Sequence, residues 1–290
     1  MSVGESRGDA PGSGSARPAA SRQGGASGAG SAGPDALRGD VPPQQDVPPQ
    51  KSPPTEVLVI LPTFNERMNL EKVVAGVRKL GHDVLIVDDA SPDKTGELAD
   101  TLADADPGIR VLHRPRKLGL GSAYEDAFKI GLAGGSALFV EMDADGSHLP
   151  GNLDAIVSAA RSSGGLAIGS RYIRGGEVVG WPFYRHLLSW AANVYCRLLL
   201  WLPTHDCTSG YRCYTRDLLT HIKLDEVVSQ GYSFQIEMVY RTRQLGYQVV
   251  ETPIRFEDRV AGASKVSQGE VRRALLTVLR LSLRRWTRSK

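Results

Sequence analysis

Two uninterrupted apolar runs, Val57-Leu58-Val59-Ile60-Leu61 and Val84-Leu85-Ile86-Val87, constrain this chain more than any other feature. A strand with no polar residue on either side has no face to give to water, so it must be covered on both faces. Between the two runs, Leu70, Val73, Val74, Val77 and Leu80 recur at helical spacing, and Gly81 ends the helix. The pattern then predicts a helix from about Thr95 to Ala105 and a short strand at Ile109–Leu112. A helix from about Gly121 to Leu132 and a strand from Ala137 to Met142 follow. Strands that alternate with helices in this way run parallel and are joined by crossovers, which defines an α/β fold.

Polar or acidic residues follow the predicted strands four times: Asn65-Glu66, Asp88-Asp89, Arg114 and Asp143-Asp145. In open α/β sheets the ligand crevice lies beyond the carboxyl ends of the strands, so this recurrence marks a ligand site. Its phosphate-binding device is not a glycine loop. The first strand runs into Pro62-Thr63-Phe64-Asn65-Glu66, where a dinucleotide-binding fold needs G-x-G-x-x-G, and no G-x-x-x-x-G-K-[ST] occurs. A metal ion on aspartates remains the obvious way to hold phosphate.

Asp143 and Asp145 flank one alanine directly after an apolar strand. Two carboxylates so placed can face one cleft, and a hard divalent cation relieves their repulsion. Mg2+ or Mn2+ held there keeps positions for diphosphate oxygens and stabilises the charge on a departing nucleoside diphosphate. Asp88 is suited to accept hydrogen bonds from a base or ribose, whereas Asp93 and Thr95 are suited to a turn or helix cap. Asn65-Glu66 is read as a ligand contact that also caps the following helix.

Composition sets the limits. Residues 1–54 are built from Gly, Ala, Ser, Pro and Gln with few large apolar side chains, and such a segment is expected to stay disordered. It has no apolar run of signal-peptide type, so secretion is not expected. A formal net charge of +3 gives no overall field of the kind that marks a nucleic-acid binder. Three cysteines without C-x-x-C spacing argue against zinc and suit a reducing compartment. No segment reaches the roughly 18 uninterrupted apolar residues of a membrane span. Trp181–Leu202 mixes aromatic residues with Arg185 and Arg197, and Val271–Trp286 mixes Leu275, Val278 and Leu279 with arginines. Both read as helices lying in a lipid headgroup layer.

The runs Leu61-Pro62-Thr63-Phe64-Asn65-Glu66, Val87-Asp88-Asp89-Ala90-Ser91-Pro92-Asp93, His113-Arg114 through Gly119-Leu120-Gly121, and Met142-Asp143-Ala144-Asp145 resemble the GT-A family-two glycosyltransferases. Within them the chain is most similar to the dolichol (polyprenol) phosphate mannose synthases. The likeness continues through Gly169–Tyr172, Thr208–Arg212, Gly231–Glu237 and Asp258–Lys265. It implies a GT-A catalytic domain over residues 55–268, a mostly parallel central sheet with flanking helices, and a basic amphipathic segment at 269–290. It also implies GDP-mannose as donor and a polyprenyl monophosphate as acceptor. Carried over by position, Pro62, Thr63, Glu66, Asp88 and Asp89 line the guanosine side, with Arg114, Gly119, Ala144, Arg259 and Lys265 completing the donor-binding set. Asp143, Asp145 and Ser147 are then the metal ligands. Many relatives have Gln where this chain has Ser147, a weaker ligand, which leaves a water or His148 to complete the shell.

A polyprenyl phosphate needs no strong general base, because its second pKa is about 6 by analogy with phosphoserine. The enzyme must align that phosphate with the sugar C1 and stabilise the leaving diphosphate. Arg114, Arg171, Arg212, Arg259 and Lys265 are the candidate cations, and Asp145, Arg171 and Arg212 the expected catalytic residues. The expected reaction is one inverting displacement at the cytoplasmic face of a membrane. Attachment is expected to be peripheral, with an integral membrane protein as a candidate tether. The rival reading is a polyprenyl phosphate glycosyltransferase using glucose or another sugar from a UDP donor. Because many such relatives continue into C-terminal spans and this chain stops at Lys290, the mannose group is preferred.

Overall fold

The first strand, β1 (Val57–Thr63), leads into α1 (Arg67–Lys79), β2 (Asp83–Asp88), α2 (Thr95–Ala105), β3 (Ile109–His113), α3 (Leu120–Ala133) and β4 (Leu138–Glu141). These match the elements expected from periodicity to within about a residue at most ends. The chain continues through α4 (Leu153–Ser163), β5 (Leu166–Ser170), β6 (Glu177–Val179), α5 (Phe183–Leu200), β7 (Arg212–Thr215), α6 (Arg216–His221) and α7 (Tyr232–Gln244). It closes with β8 (Val249–Pro253), β9 (Arg255–Glu257) and α8 (Gln268–Arg288). The structure, a computed structural model, describes residues 55–258 and 268–288. The tail read from the sequence over residues 1–54 lies outside the described residues, as do Arg259 and Lys265.

Seven strands form one sheet in the order β3-β2-β1-β4-β7-β5-β8. Strand β1 pairs in parallel with β2 on one side and β4 on the other, with Thr63 opposite Asp88 and Ile60 opposite Glu141. Strand β7 is antiparallel to both β4 and β5, and β5 pairs in parallel with β8. The sheet is therefore mostly parallel, with one reversed strand that the apolar pattern alone did not mark. A second small sheet pairs β6 with β9, and an isolated bridge joins His148 to Phe256.

The apolar runs lack polar positions because both sheet faces are dry. Leu58, Ile60, Leu85, Val87 and Phe139 belong to one buried cluster that includes Phe128 of α3 and Phe234 of α7. Val57, Val59, Leu61, Val84, Ile86 and Val140 belong to another, with Val73 and Val77 of α1 and Ile156 of α4. Side chains alternate across a strand, so each run feeds both clusters. Helix α3 approaches the sheet closely at Gly131, where a Cβ would lie 2.5 Å from the Phe139 ring. Arg216 then closes the carboxyl end of that helix by donating to the carbonyls of Gly131, Leu132, Gly134 and Ser136.

Phe139 touches the Phe128 ring edge-on at 6.4 Å and is fully buried. Replacing it with Ala should cost about 3–5 kcal/mol of stability, read as a lowered urea midpoint with an unchanged slope.

Candidate active site

The carboxyl ends of β1, β2 and β4 deliver Thr63, Asp88 and the Asp143–Asp145 segment to one edge of the sheet. The Asp88 carboxylate is held from three sides. Its Oδ1 accepts from the Thr63 hydroxyl at 3.0 Å and the Ser91 hydroxyl at 2.5 Å, and its Oδ2 accepts from the Ser91 N–H at 3.1 Å. The Ser91 hydroxyl also accepts from the Asn65 N–H, so the loops after β1 and β2 are knitted together. Asn65 and Ala90 both take left-handed backbone, at φ 63° and 54°. Such strain in non-glycine residues persists only where surrounding bonds over-determine it. Asp93 plays the expected turn role: its Oδ1 accepts from the Thr95 N–H and hydroxyl at the start of α2.

Asp89 and Arg114 look inward. Arg114 Nη1 donates to Asp89 Oδ1 at 2.7 Å and Nη2 to the Ser122 hydroxyl at 2.6 Å, and the Arg114 side chain is 3 % exposed. Asp89 Oδ2 accepts from the N–H groups of Leu118 and Gly119. Burial raises the Asp89 carboxyl above its usual range, an effect that the Arg114 charge opposes. Together they build the turn into α3, where Gly119 sits at φ 101°. This differs from the ligand contact expected of them, since their charges are spent on each other and on that turn.

The metal candidates separate into different roles. Asp143 keeps about a third of its side chain exposed and Asp145 is buried. Ser147 donates to Asp145 Oδ1 from both its hydroxyl, at 2.6 Å, and its N–H, at 3.0 Å. It therefore acts through Asp145, fixing the carboxylate's orientation. His148 is also accounted for. Its Nδ1 accepts from the Asp143 N–H at 2.9 Å, which leaves the proton on Nε2, 3.9 Å from Asp143 Oδ2. A protonated ring nitrogen cannot ligate a metal, so His148 is a brace in this arrangement. It stacks on Tyr211 at 4.8 Å between centroids. Burial lowers its pKa, which keeps it neutral. Among the described residues no group of three His, Cys, Asp or Glu side chains could hold a metal ion. The donors present, two aspartates on one short turn beside Gly210, fit a hard cation that also takes oxygens from a diphosphate and water.

Arg171 directly follows β5 and is clamped. Its Nε and Nη2 reach the two oxygens of Asp206 at 2.7 Å each, its own N–H donates to Asp206 Oδ2, and Nη2 also donates to the Thr208 hydroxyl. Its guanidinium is 5.4 Å from the ring centroids of Tyr172, Trp181 and Phe256. Burial alone would raise the Asp206 carboxyl, but the Arg171 charge and hydrogen bonds outweigh it and hold the pKa below normal. Arg185 stacks on the other part of this cluster, 4.1 Å from the Trp181 centroid, and pairs with Asp258 at 3.1 Å.

Arg212 departs from the expected catalytic role. It is fully buried and donates to three main-chain carbonyls, Cys207, Ser209 and Gln235. It stands opposite the buried Glu141 across β4 and β7, and burial pushes that carboxyl up to about 7 against the Arg212 charge. No acceptor could touch this guanidinium without displacing those bonds, so Arg212 supports the Cys207–Gly210 loop. Asp206, Thr208 and Arg185 were not singled out as site residues by sequence reasoning. The signal available was the polar run Thr204–Ser209 directly after an apolar helix.

Two outcomes follow from these contacts. Ser147→Ala should weaken Mn2+ binding in the presence of GDP about 10- to 100-fold, the usual loss when a partner of a metal ligand is removed, while thermal stability stays close to wild type. Mn2+ titration by electron paramagnetic resonance measures it. For Asp206, whose pKa is lowered from 3.8 on folding, the stabilising contribution is present above that value and lost as pH falls through the folded pKa. The stability gap between the protein and Asp206→Asn should therefore shrink as pH drops below 3.8, read by urea unfolding at a series of pH values.

Residues 58–223 match the model of glycosyl transferase family 2. The chain is 48 % identical over 233 residues to an undecaprenyl-phosphate mannosyltransferase of Micrococcus luteus, covering 79 % of this chain and 96 % of that protein. It is also 48 % identical over 235 residues to a polyprenol monophosphomannose synthase of Mycolicibacterium smegmatis, covering 80 % and 89 %. Among solved structures it shares its fold with glucosyl-3-phosphoglycerate synthase from Mycobacterium tuberculosis in complex with Mn2+ and UDP-glucose. There the TM-score is 0.56 and the identity 20 %, over 78 % of each chain. A strand-end carboxylate pair on a mostly parallel sheet, together with these matches, places the chain in glycosyltransferase family 2.

Proposed function

We propose that this protein transfers mannose from GDP-mannose to a polyprenyl monophosphate, with inversion, giving polyprenyl phosphate mannose and GDP. The observation that carries the reading is its close likeness to two polyprenyl phosphate mannosyltransferases across nearly their whole length. The site geometry supports it. Asp143 and Asp145 are disposed to hold Mg2+ or Mn2+, which when bound supplies positive charge to the leaving diphosphate. Pro62, Thr63, Glu66 and Asp88 stand at the ends of β1 and β2, where a nucleoside fits, with Ala144 at the turn between the aspartates. Gly119 belongs with the turn that Asp89 and Arg114 build, which shapes this side of the cleft from behind.

On the other side Arg171, backed by Asp206, is the candidate for the acceptor phosphate, with Arg185 beside it and Arg259 and Lys265 further along the chain. A guanidinium paired on one edge keeps its planar geometry and loses little rotamer freedom on binding, which suits alignment of an anion. A phosphate monoester oxygen, ionised near neutral pH, attacks C1 of the mannose as the bond from C1 to the GDP oxygen breaks. The electron pair leaves with GDP, and no covalent enzyme intermediate forms. No side chain has to remove a proton.

The acceptor's lipid tail points to the membrane. No helix among the described residues is long and apolar enough to cross a bilayer. Helix α5 nevertheless exposes Phe183, Tyr184, Leu187, Leu188, Trp190 and Leu198, and α8, packed against it, exposes Leu275, Leu276 and Leu279. With exposed Arg272, Arg273 and Arg280 on α8, this face fits the surface of an anionic bilayer, each arginine near it adding about 1 kcal/mol. The enzyme is proposed to sit peripherally on the cytoplasmic face, with an integral membrane protein as a candidate tether.

Radiolabelled GDP-mannose and UDP-glucose offered in parallel with a polyprenyl phosphate test the donor. Lipid-linked label should come from GDP-mannose alone, and transfer from UDP-glucose instead would overturn the reading. Asp145→Ala should lose turnover by at least about 10³-fold, in line with removing the charge that meets the leaving group.

A further inference from the structure

The helix that carries the exposed apolar face also reaches the candidate site from within. On the buried side of α5, Asn193 is 2 % exposed and uses both ends of its amide. Its Oδ1 accepts from the Cys207 N–H at 2.7 Å. Its Nδ2 donates to the Thr208 hydroxyl at 3.3 Å and to the Ser189 carbonyl at 3.0 Å. The Thr208 hydroxyl oxygen in turn accepts from Arg171 Nη2 at 2.9 Å and lies 3.3 Å from Asp206 Oδ1. Two hydrogen bonds thus separate α5 from the guanidinium assigned to the acceptor phosphate.

Nothing in the helix itself calls for asparagine there. Its neighbours on the buried face are Cys196 and Leu200, and a leucine would pack beside them at lower desolvation cost. A buried amide is retained where each end has a specific partner, and here every non-helical partner belongs to the segment that holds Arg171. That segment is also the direct continuation of α5. The helix ends at Trp201 in a left-handed turn, and Leu202 donates back to the Arg197 carbonyl before the chain enters Thr204–Gly210. The start of the segment is tied to β8 by Glu251, which accepts from the N–H groups of His205 and Asp206, and its end runs into β7. The loop is therefore held by the sheet at both ends and, at Cys207 and Thr208 in its middle, by a helix whose outer face is exposed.

We propose that Asn193 is a positioning residue that couples the seating of α5 on a bilayer to the placement of Arg171, through Thr208. Burying the outer face of α5 in the headgroup layer fixes the helix, and the Asn193 amide passes that fixation to the Cys207 and Thr208 bonds. The site is then best ordered where its lipid acceptor is found. The inference rests on the membrane-docking part of the function proposed above.

Hydrogen–deuterium exchange over residues 204–210 tests it, with and without vesicles of phosphatidylcholine and phosphatidylglycerol, alongside co-sedimentation of the full chain. In the unaltered protein, vesicles should slow exchange of this segment about fivefold or more, the range of ordinary coupling between two sites. Asn193→Ala should sediment equally well and lose that slowing. Thr208→Val, which cuts the relay without touching the helix, should do the same and decides the matter if the Asn193 variant does not fold. An unaltered protein that sediments with vesicles without slower exchange would sink the coupling while leaving the docking intact. Slowing that survives in Thr208→Val overturns it as well. Failure of the unaltered protein to sediment would overturn the docking and the coupling together.

Discussion

A parallel sheet that is dry on both faces can present polar chemistry only at its ends, and the organisation of this protein follows from that. Val57–Leu61, Val84–Val87 and Val140 feed two separate apolar clusters, so no strand residue in the interior has access to a ligand. The backbone must then release its carboxylates just past each strand, at Asp88, Asp143 and Asp145. Because β1, β2 and β4 are adjacent and parallel, those releases fall along one edge. The cleft is a consequence of sheet burial before it is a feature of catalysis.

Gathering acidic groups on one edge creates a repulsion that the fold must offset. Much of the charge near the cleft turns inward. Asp89 is matched by Arg114, Asp206 by Arg171, and the buried Glu141 stands opposite Arg212. Such buried pairs recover little net stability once desolvation is counted, so their value lies in fixing geometry. Asp89 and Arg114 set the turn into α3, and Arg212 holds the carbonyls of the Cys207–Ser209 loop. Asp143 keeps about a third of its side chain exposed at the end of β4, where Asp145 is buried.

The legible part of the sequence was the part governed by periodicity. Elements β1 to β4 and the helices between them were readable because the strands are short continuous apolar runs and the helices carry a 3.6-residue period. The reversed strand β7 was not, since Arg212–Thr215 is four residues long and carries a charge in its first position. Asp88, Asp143 and Asp145 stand out in the sequence because a carboxylate after an apolar strand is conspicuous, and the structure places all three at the carboxyl ends of β2 and β4. Arg212 and Arg114 were misread for a physical reason: sequence shows that a cation exists but gives no account of which carbonyls or carboxylates consume it. Ser147 and His148 pose the same difficulty in reverse, because each is a credible ligand by type and each is already committed to a neighbouring aspartate.

Helix α5 shows why the apolar pattern of a chain like this cannot be read on one level. Its outer residues, Phe183, Leu187, Leu188 and Trp190, would be costly for a protein that met only water, and its inner Asn193 would be costly for a helix that met only a core. Each anomaly is reasonable once the other is considered. A helix that borders a lipid surface on one side and a phosphate-binding loop on the other must be apolar outward and selectively polar inward, the inverse of an ordinary amphipathic helix. Three side chains, Arg185, Ser189 and Asn193, fall at four-residue intervals along it and so share one face. Arg185 meets Trp181 and Asp258, and Asn193 meets the Ser189 carbonyl, Cys207 and Thr208. The polar stripe therefore runs along the loop that holds Arg171, and the helix separates that loop from its own exposed apolar face.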